Sequence, residues 1–150
     1  MEIMAAENKT TIELENEIKE ATDIEDYLQT NQKYLTQDGF CEYLNTLLSS
    51  KGIRKADVVR ESLLDRAYVY QIFSGERTPS RDKLIALAFG MHLTDAETQK
   101  MLKLSCNREL YAKDERDVLI LFALQHKQTI MDVNESLFRH GFPALGAPPE

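Results

Sequence analysis

The chain has 150 residues, 43% of them hydrophobic, and a formal net charge of −7. That length suits one compact domain or one small domain with extensions, with ample apolar material for a core. No apolar run approaches the ~20 residues needed to cross a membrane, and the acidic start MEIMAAENKT predicts no secretory leader.

The charge is unevenly spread. Residues 1–38 hold three Lys against ten Asp or Glu and carry −7. Residues 39–92 hold eight Lys or Arg against six acids and carry +2, while residues 93–150, with seven against nine, carry −2. Nucleic-acid binding depends on local positive potential, so the whole-chain sum does not exclude it. Cys41 and Cys106 are widely separated, lack metal-ligand spacing and read as reduced thiols of a cytoplasmic protein.

Residues 1–10 are polar and predict a frayed end. TIELENEIKEA, residues 11–21, predicts a helix with a thin apolar face of Ile12, Leu14 and Ile18. The capping-box pattern Thr22 to Glu25 predicts a second helix from near Asp23, with Ile24, Tyr27, Leu28 and Leu35 inward. This segment reads either as an accessory helix docked on the domain or as an acidic arm for dimerisation or regulation.

Asp38-Gly39 marks a break. Phe40, Leu44, Leu47 and Leu48 then form an i, i+4, i+7, i+8 stripe on a helix over 40–50, closed by Lys51-Gly52. The stretch KADVVRESLLDRAYVYQI, residues 55–72, predicts two short helices, about 55–61 and 66–73, joined by a tight corner. Val58 and Val59 face inward on the first, Leu63 sits at the corner, and Val69 and Ile72 face inward on the second. Asp65 is a fitting N-cap. Arg66 and Tyr70, four residues apart, point outward together, Gln71 has no obvious core role, and Tyr68 packs at the domain's edge.

Gly75 ends the second helix, Thr78-Pro79-Ser80 makes a turn, and Ser80 caps a helix through Leu84, Ile85, Leu87, Ala88 and Phe89. After a link at 90–93, the capping box Thr94 to Glu97 starts a helix through Met101, Leu102 and Leu104. Residues 106–113 read as a loop. Asp114 caps a helix whose centre, Val118 to Leu124, is apolar almost all round; a buried strand has the same pattern, but the flanks DER and QHK suit helix ends. Thr129 caps a last helix, 130–140, stopped by Gly141 and Pro143, and the tail APPE reads as loose.

The series Lys55, Val59, Leu63, Val69, Ile72 resembles the helix-turn-helix of lambda-repressor-like (Xre/Cro) DNA-binding proteins. Gly75, Pro79 and Ser80 look like that family's turn before its fourth helix, and the resemblance covers roughly residues 40–93. Two positions depart from the pattern. Val59 stands where a small Ala is usual, predicting looser packing of the two helices. Leu63 stands where a corner Gly is usual, predicting a turn that does not rely on positive φ. Either change would re-aim the second helix without removing the fold.

The resemblance implies an all-α bacterial or phage-type cytoplasmic transcriptional regulator that binds double-stranded DNA, commonly as a homodimer. The residue patterns set an acidic helical arm (1–38) before the helix-turn-helix domain (39–93) and a C-terminal helical extension (94–150) after it, the dimer surface lying on the arm or on the extension. Helix 66–73 would enter the major groove, with Arg66 on a guanine edge, Gln71 on an adenine edge, and Tyr70 and Arg77 on base, sugar or backbone. Arg54, Lys55, Ser80, Arg81 and Lys83, at helix starts, would hold phosphates.

Two other classes compete. A module that keeps the scaffold, binds no DNA and meets a protein partner through the acidic arm or helix 66–73 is the main alternative. An enzyme is the weak one. His92, His126 and His140 are scattered and read as surface or helix-end residues. Asp114, Glu115 and Asp117 read as capping and dipole complementation, and the chain has neither a Gly-rich phosphate loop nor a nucleophile motif.

Overall fold

The computed structural model describes residues 9–31 and 39–146, and within them every regular element is a helix. Two compact units divide the chain, Met1–Gln37 and Asp38–Glu150. Leu35, the break at Asp38 and the tail APPE lie outside the described residues, as do residues 1–8 of the expected frayed end. No helix among the described residues is long and apolar enough to cross a membrane.

The first unit holds α1 (Thr11–Glu20) and α2 (Ile24–Thr30). Thr10 and Glu13 close the start of α1 as a reciprocal capping box, and Asp23 caps α2. Of the expected inner face of α2 only Tyr27 is buried; Ile24 and Leu28 are exposed. Seven residues give just two turns, too short for a continuous inward stripe. The Tyr27 hydroxyl donates to the Leu14 carbonyl at 3.3 Å. Asn31 is buried too, accepting from Lys9 at 2.8 Å and donating to the Tyr27 carbonyl.

The second unit runs α3 (Gly39–Lys51), α4 (Lys55–Ser62), α5 (Arg66–Ser74), α6 (Arg81–Gly90), α7 (Asp95–Leu104), α8 (Glu115–Gln125) and α9 (Ile130–Arg139). Its centre is α6. Every residue from Leu84 to Gly90 is buried, the mark of a helix apolar on all sides. Helices α4, α7 and α9 pack around it, α3 packs on α5 and α7, and α8 packs on α7 and α9. Residues 38–150 are therefore one body. The change expected after residue 93 is a step between neighbouring helices, because α7 and α9 cover faces of α6 that the preceding helices leave open.

Polar clips hold the later helices to the earlier ones. Arg116 forks onto Asp82 at 2.9 and 3.1 Å and donates to the Pro143 carbonyl. Gln99 and Asn134 each exchange two hydrogen bonds with one buried leucine's peptide, Leu110 and Leu145 respectively. Lys51 meets Glu97 at 3.0 Å. Burial works to raise the Glu97 carboxyl, but the Thr94 N–H and the Lys51 ammonium outweigh it and hold it below the usual range.

One apolar segment has an open face, and one expectation changes. Helix α8 is not buried all round: Ile120, Ala123 and Leu124 face inward, whereas Val118 and Phe122 are exposed. Phe122 instead stacks on His126, ring centres 3.9 Å apart. The α4–α5 corner does use a left-handed residue, with Leu63 at φ 63°. That conformation costs an L-residue about 1–2 kcal/mol, and the side chain's packing against the core offsets it.

Helices α4 and α6 approach closely at Gly90, where a Cβ would lie 2.8 Å from both the Val58 carbonyl oxygen and the Ser62 Cβ. Gly90→Ala therefore has to push the two helices apart, and we expect urea unfolding to show a loss of about 1–3 kcal/mol. A variant as stable as the parent, with helix propensity gained, would mean the contact is softer than this.

Candidate nucleic-acid interface

Helix α5 forms because its start and stop are both closed. The Asp65 carboxylate accepts from the Tyr68 N–H at 3.3 Å, and Gly75, at φ 87°, turns the chain out of the helix. Val69, Ile72 and Phe73 bury one face. With 3.6 residues per turn, the opposite stripe is Ala67, Gln71 and Ser74. Ala67 and Ser74 are exposed there.

Two tyrosines flank that stripe on opposite sides, and each collects two cations. The Tyr70 ring lies 4.9 Å from the Arg66 guanidinium and 5.4 Å from the Lys55 ammonium. Arg66 also donates to the Tyr70 hydroxyl at 3.3 Å. The Tyr68 ring lies 5.1 Å from the Arg77 guanidinium and 5.7 Å from the Lys83 ammonium. Arg77 donates in turn to the Gln71 amide oxygen at 2.8 Å. Tyr68, Gln71, Arg77 and Lys83 line an open groove of about 660 Å³.

These contacts bring the start of α4 to one flank of α5 and the start of α6 to the other. Both starts are open. The N-caps Arg54 of α4 and Ser80 of α6 make no side-chain capping bond. In contrast Thr10, Asp23, Asp65, Thr94, Asp114 and Thr129 each accept a backbone N–H at the start of their own helix. An uncapped helix start presents free N–H groups and positive dipole, a fit for an anion.

The other expected phosphate contacts divide. Lys55 and Lys83 stand at these starts over the tyrosine rings, and Ser80 is exposed. Arg54 is shared with an acid: its guanidinium reaches Asp57 at 3.3 and 3.4 Å, and Arg60 reaches the same carboxylate at 2.7 Å. The hydrogen bonds from Arg60 and then Arg54 hold the Asp57 carboxyl below its ordinary value. Arg81 drops out. It is turned inward, donating to the carbonyls of Arg108 and Glu109 at 2.6 and 3.1 Å and to Asp117 at 3.0 Å. Asp117 is correspondingly more than a first-turn acid. It is buried and also takes Arg108 and the Tyr111 N–H, so Asp114 alone does the capping.

Sequence reasoning missed Ala67 at the centre of the outward stripe and Tyr68 as a seat for cations. The signal was available in the 100° spacing that puts 67, 71 and 74 opposite 69, 72 and 73. The histidines sit apart. His92 meets Glu61 at 2.6 Å, while His126 and His140 follow the ends of α8 and α9. Comparison with family models, with curated proteins and with solved structures finds no match to this chain.

Proposed function

We propose that the 38–150 unit binds double-stranded DNA sequence-specifically, as a lambda-repressor-like (Xre/Cro) transcriptional regulator with α4–α5 as its helix-turn-helix. The observation that carries this reading is the pair of uncapped helix starts on either side of the outward stripe of α5. A helix laid in a major groove needs phosphate anchors on both of its flanks, and open helix starts with Lys55 on one and Lys83 on the other supply them. Arg66, Gln71 and Arg77 then reach base edges, Tyr70 seats Arg66, and Ser80 adds a hydroxyl to the α6 anchor. The protein acts in the cytoplasm of a bacterial or phage-infected cell and is not an enzyme. It binds as a homodimer, since two half-sites multiply a modest single-domain affinity. Exposed apolar residues on the arm (Ile12, Ile18, Ile24) and on α8 and α9 (Phe122, Met131, Phe138) are the candidate dimer surfaces.

The second reading, a protein-interaction module on the same scaffold, draws on the acids of the α4–α5 face. Asp57 occupies Arg54 and Arg60, and Asp65 and Glu76 stand exposed among the cations.

Selection from a pool of randomised duplexes at two salt concentrations separates the readings. A recovered motif whose affinity falls as salt rises supports the regulator. On that motif Arg66→Ala is expected to cost about 1–3 kcal/mol and relax preference at one position, while Lys83→Ala weakens all duplexes alike. Equal loss on selected and random DNA for Arg66→Ala would remove its base-reading role. No enrichment and no salt-dependent binding would favour the interaction module.

A further inference from the structure

A second cavity, of about 310 Å³, lies where the end of α6, the start of α7 and the end of α8 meet. Its floor is apolar, made of Ala88, Phe89, Leu93 and Leu124, all buried. Its rim is polar and carries both charges, Asp95 and Lys127. Cavities of this size with an apolar floor and a few convergent polar groups are the usual form of a small-molecule site.

The backbone at the rim is unusual. Four non-glycine residues among those described have positive φ, and two of them, His92 (56°) and Lys127 (55°), line this one cavity. Each follows a helix, at a position where glycine is the ordinary choice. Its neighbours close the helix: Leu93 N–H onto the Ala88 carbonyl, Gln128 N–H onto the Ala123 carbonyl. A left-handed lysine and a left-handed histidine at one rim put side chains where glycine would leave none.

The rim groups also differ in occupancy. His92 is held by Glu61 at 2.6 Å. The Asp95 carboxylate accepts from Gln125 at 2.9 Å and from the Ala96 N–H, leaving acceptor capacity on both oxygens. Lys127 has no ion pair or hydrogen-bond acceptor for its ammonium among the described residues. One free cation, one carboxylate with spare lone pairs and an apolar floor together match an ammonium, a carboxylate and an apolar side chain.

We propose that this cavity binds a small zwitterion of the α-amino-acid type with an apolar side chain. Its carboxylate meets Lys127, its ammonium meets Asp95, and its side chain lies on Phe89 and Leu124. The site is independent of the DNA-binding reading, and its test does not involve DNA.

The test uses the full chain and the twenty L-amino acids, one at a time, at about 10 mM, roughly ten times a millimolar dissociation constant. At least one apolar amino acid is expected to raise the melting temperature by about 3–6 °C, and to shift the amide resonances of Phe89, Leu93, Lys127 and Gln128. Lys127→Gly removes the cation while giving the left-handed position the residue it favours. It should melt no lower than the parent and bind at least tenfold more weakly. Lys127→Asn, which also tolerates that conformation, repeats the test should the glycine variant fail to fold. Silence from all twenty amino acids overturns the proposal, as does unchanged affinity in both lysine variants. An equal response to sodium acetate or methylammonium chloride overturns it too, since a single charge would then suffice.

Discussion

Replacing Asp117 with alanine is expected to destabilise the 38–150 unit by about 3–5 kcal/mol. The residue is 1% exposed, and three donors converge on one of its oxygens, from Arg81, Arg108 and the Tyr111 backbone. Arg81 is itself only 17% exposed in its side chain. Removing the carboxylate leaves the Arg81 guanidinium with two backbone carbonyls but no counter-charge, and the Tyr111 N–H without its acceptor, which costs far more than an exposed ion pair is worth. Asp117→Asn keeps one acceptor oxygen and should lie at the low end. For a unit of this size the loss corresponds to a fall in melting temperature of roughly 10–20 °C, read by circular dichroism. Arg81→Met with Asp117→Leu removes both charges together, and should be less damaging than the sum of the single changes by about 0.5–3 kcal/mol. A fall of less than about 2 °C in Asp117→Ala would mean that the carboxylate is not the hub described.

The same network explains which parts of the molecule were legible from residues alone. Helix starts and stops depend on neighbours within four positions, so Asp65, Thr94, Asp114 and Thr129 announce their caps and Gly52 and Gly75 their ends. The inward stripe Val69, Ile72 is legible for the same reason. Arg81 and Asp117 are 36 positions apart. A basic residue in the first turn of α6 suits a phosphate and suits a buried carboxylate equally well, and only the packing of α8 beside that turn decides. Burial has the same limit. Leu84 to Phe89 and Val118 to Leu124 are both apolar around the helix, yet α6 is enclosed by α4, α7 and α9 while α8 has one face open. The left-handed positions were hidden differently. Positive φ is signalled by glycine, but at Leu63, His92, Cys106 and Lys127 it is borne by other residues. At these helix ends the closing backbone hydrogen bonds and the packing around them set the conformation, and the side chain conforms at a cost of about 1–2 kcal/mol.

Ala67→Glu is expected to abolish binding to the selected duplex, by at least 100-fold, while leaving the fold intact. Ala67 is exposed at the second position of α5, on the outward stripe with Gln71 and Ser74. A carboxylate in the first turn of a helix is favoured by the dipole, so the variant should melt no lower than the parent. Toward DNA the same group is unfavourable twice over. In the proposed complex it would add bulk where only a methyl lies between the helix and the groove floor, and would set a negative charge among phosphates with no counter-charge provided. Like charges forced together cost several kcal/mol, and each 1.4 kcal/mol is a factor of ten. The charge part is screened by salt and the steric part is not. Affinity should therefore stay low at high ionic strength, whereas the loss caused by Lys83→Ala should shrink as the parent's own affinity falls. Fluorescence anisotropy on a labelled duplex, with a melting curve for each variant, reads both quantities. If Ala67→Glu binds the selected duplex within about threefold of the parent, the outward stripe of α5 does not face the bases. The pair of open helix starts would then have to serve a different anion.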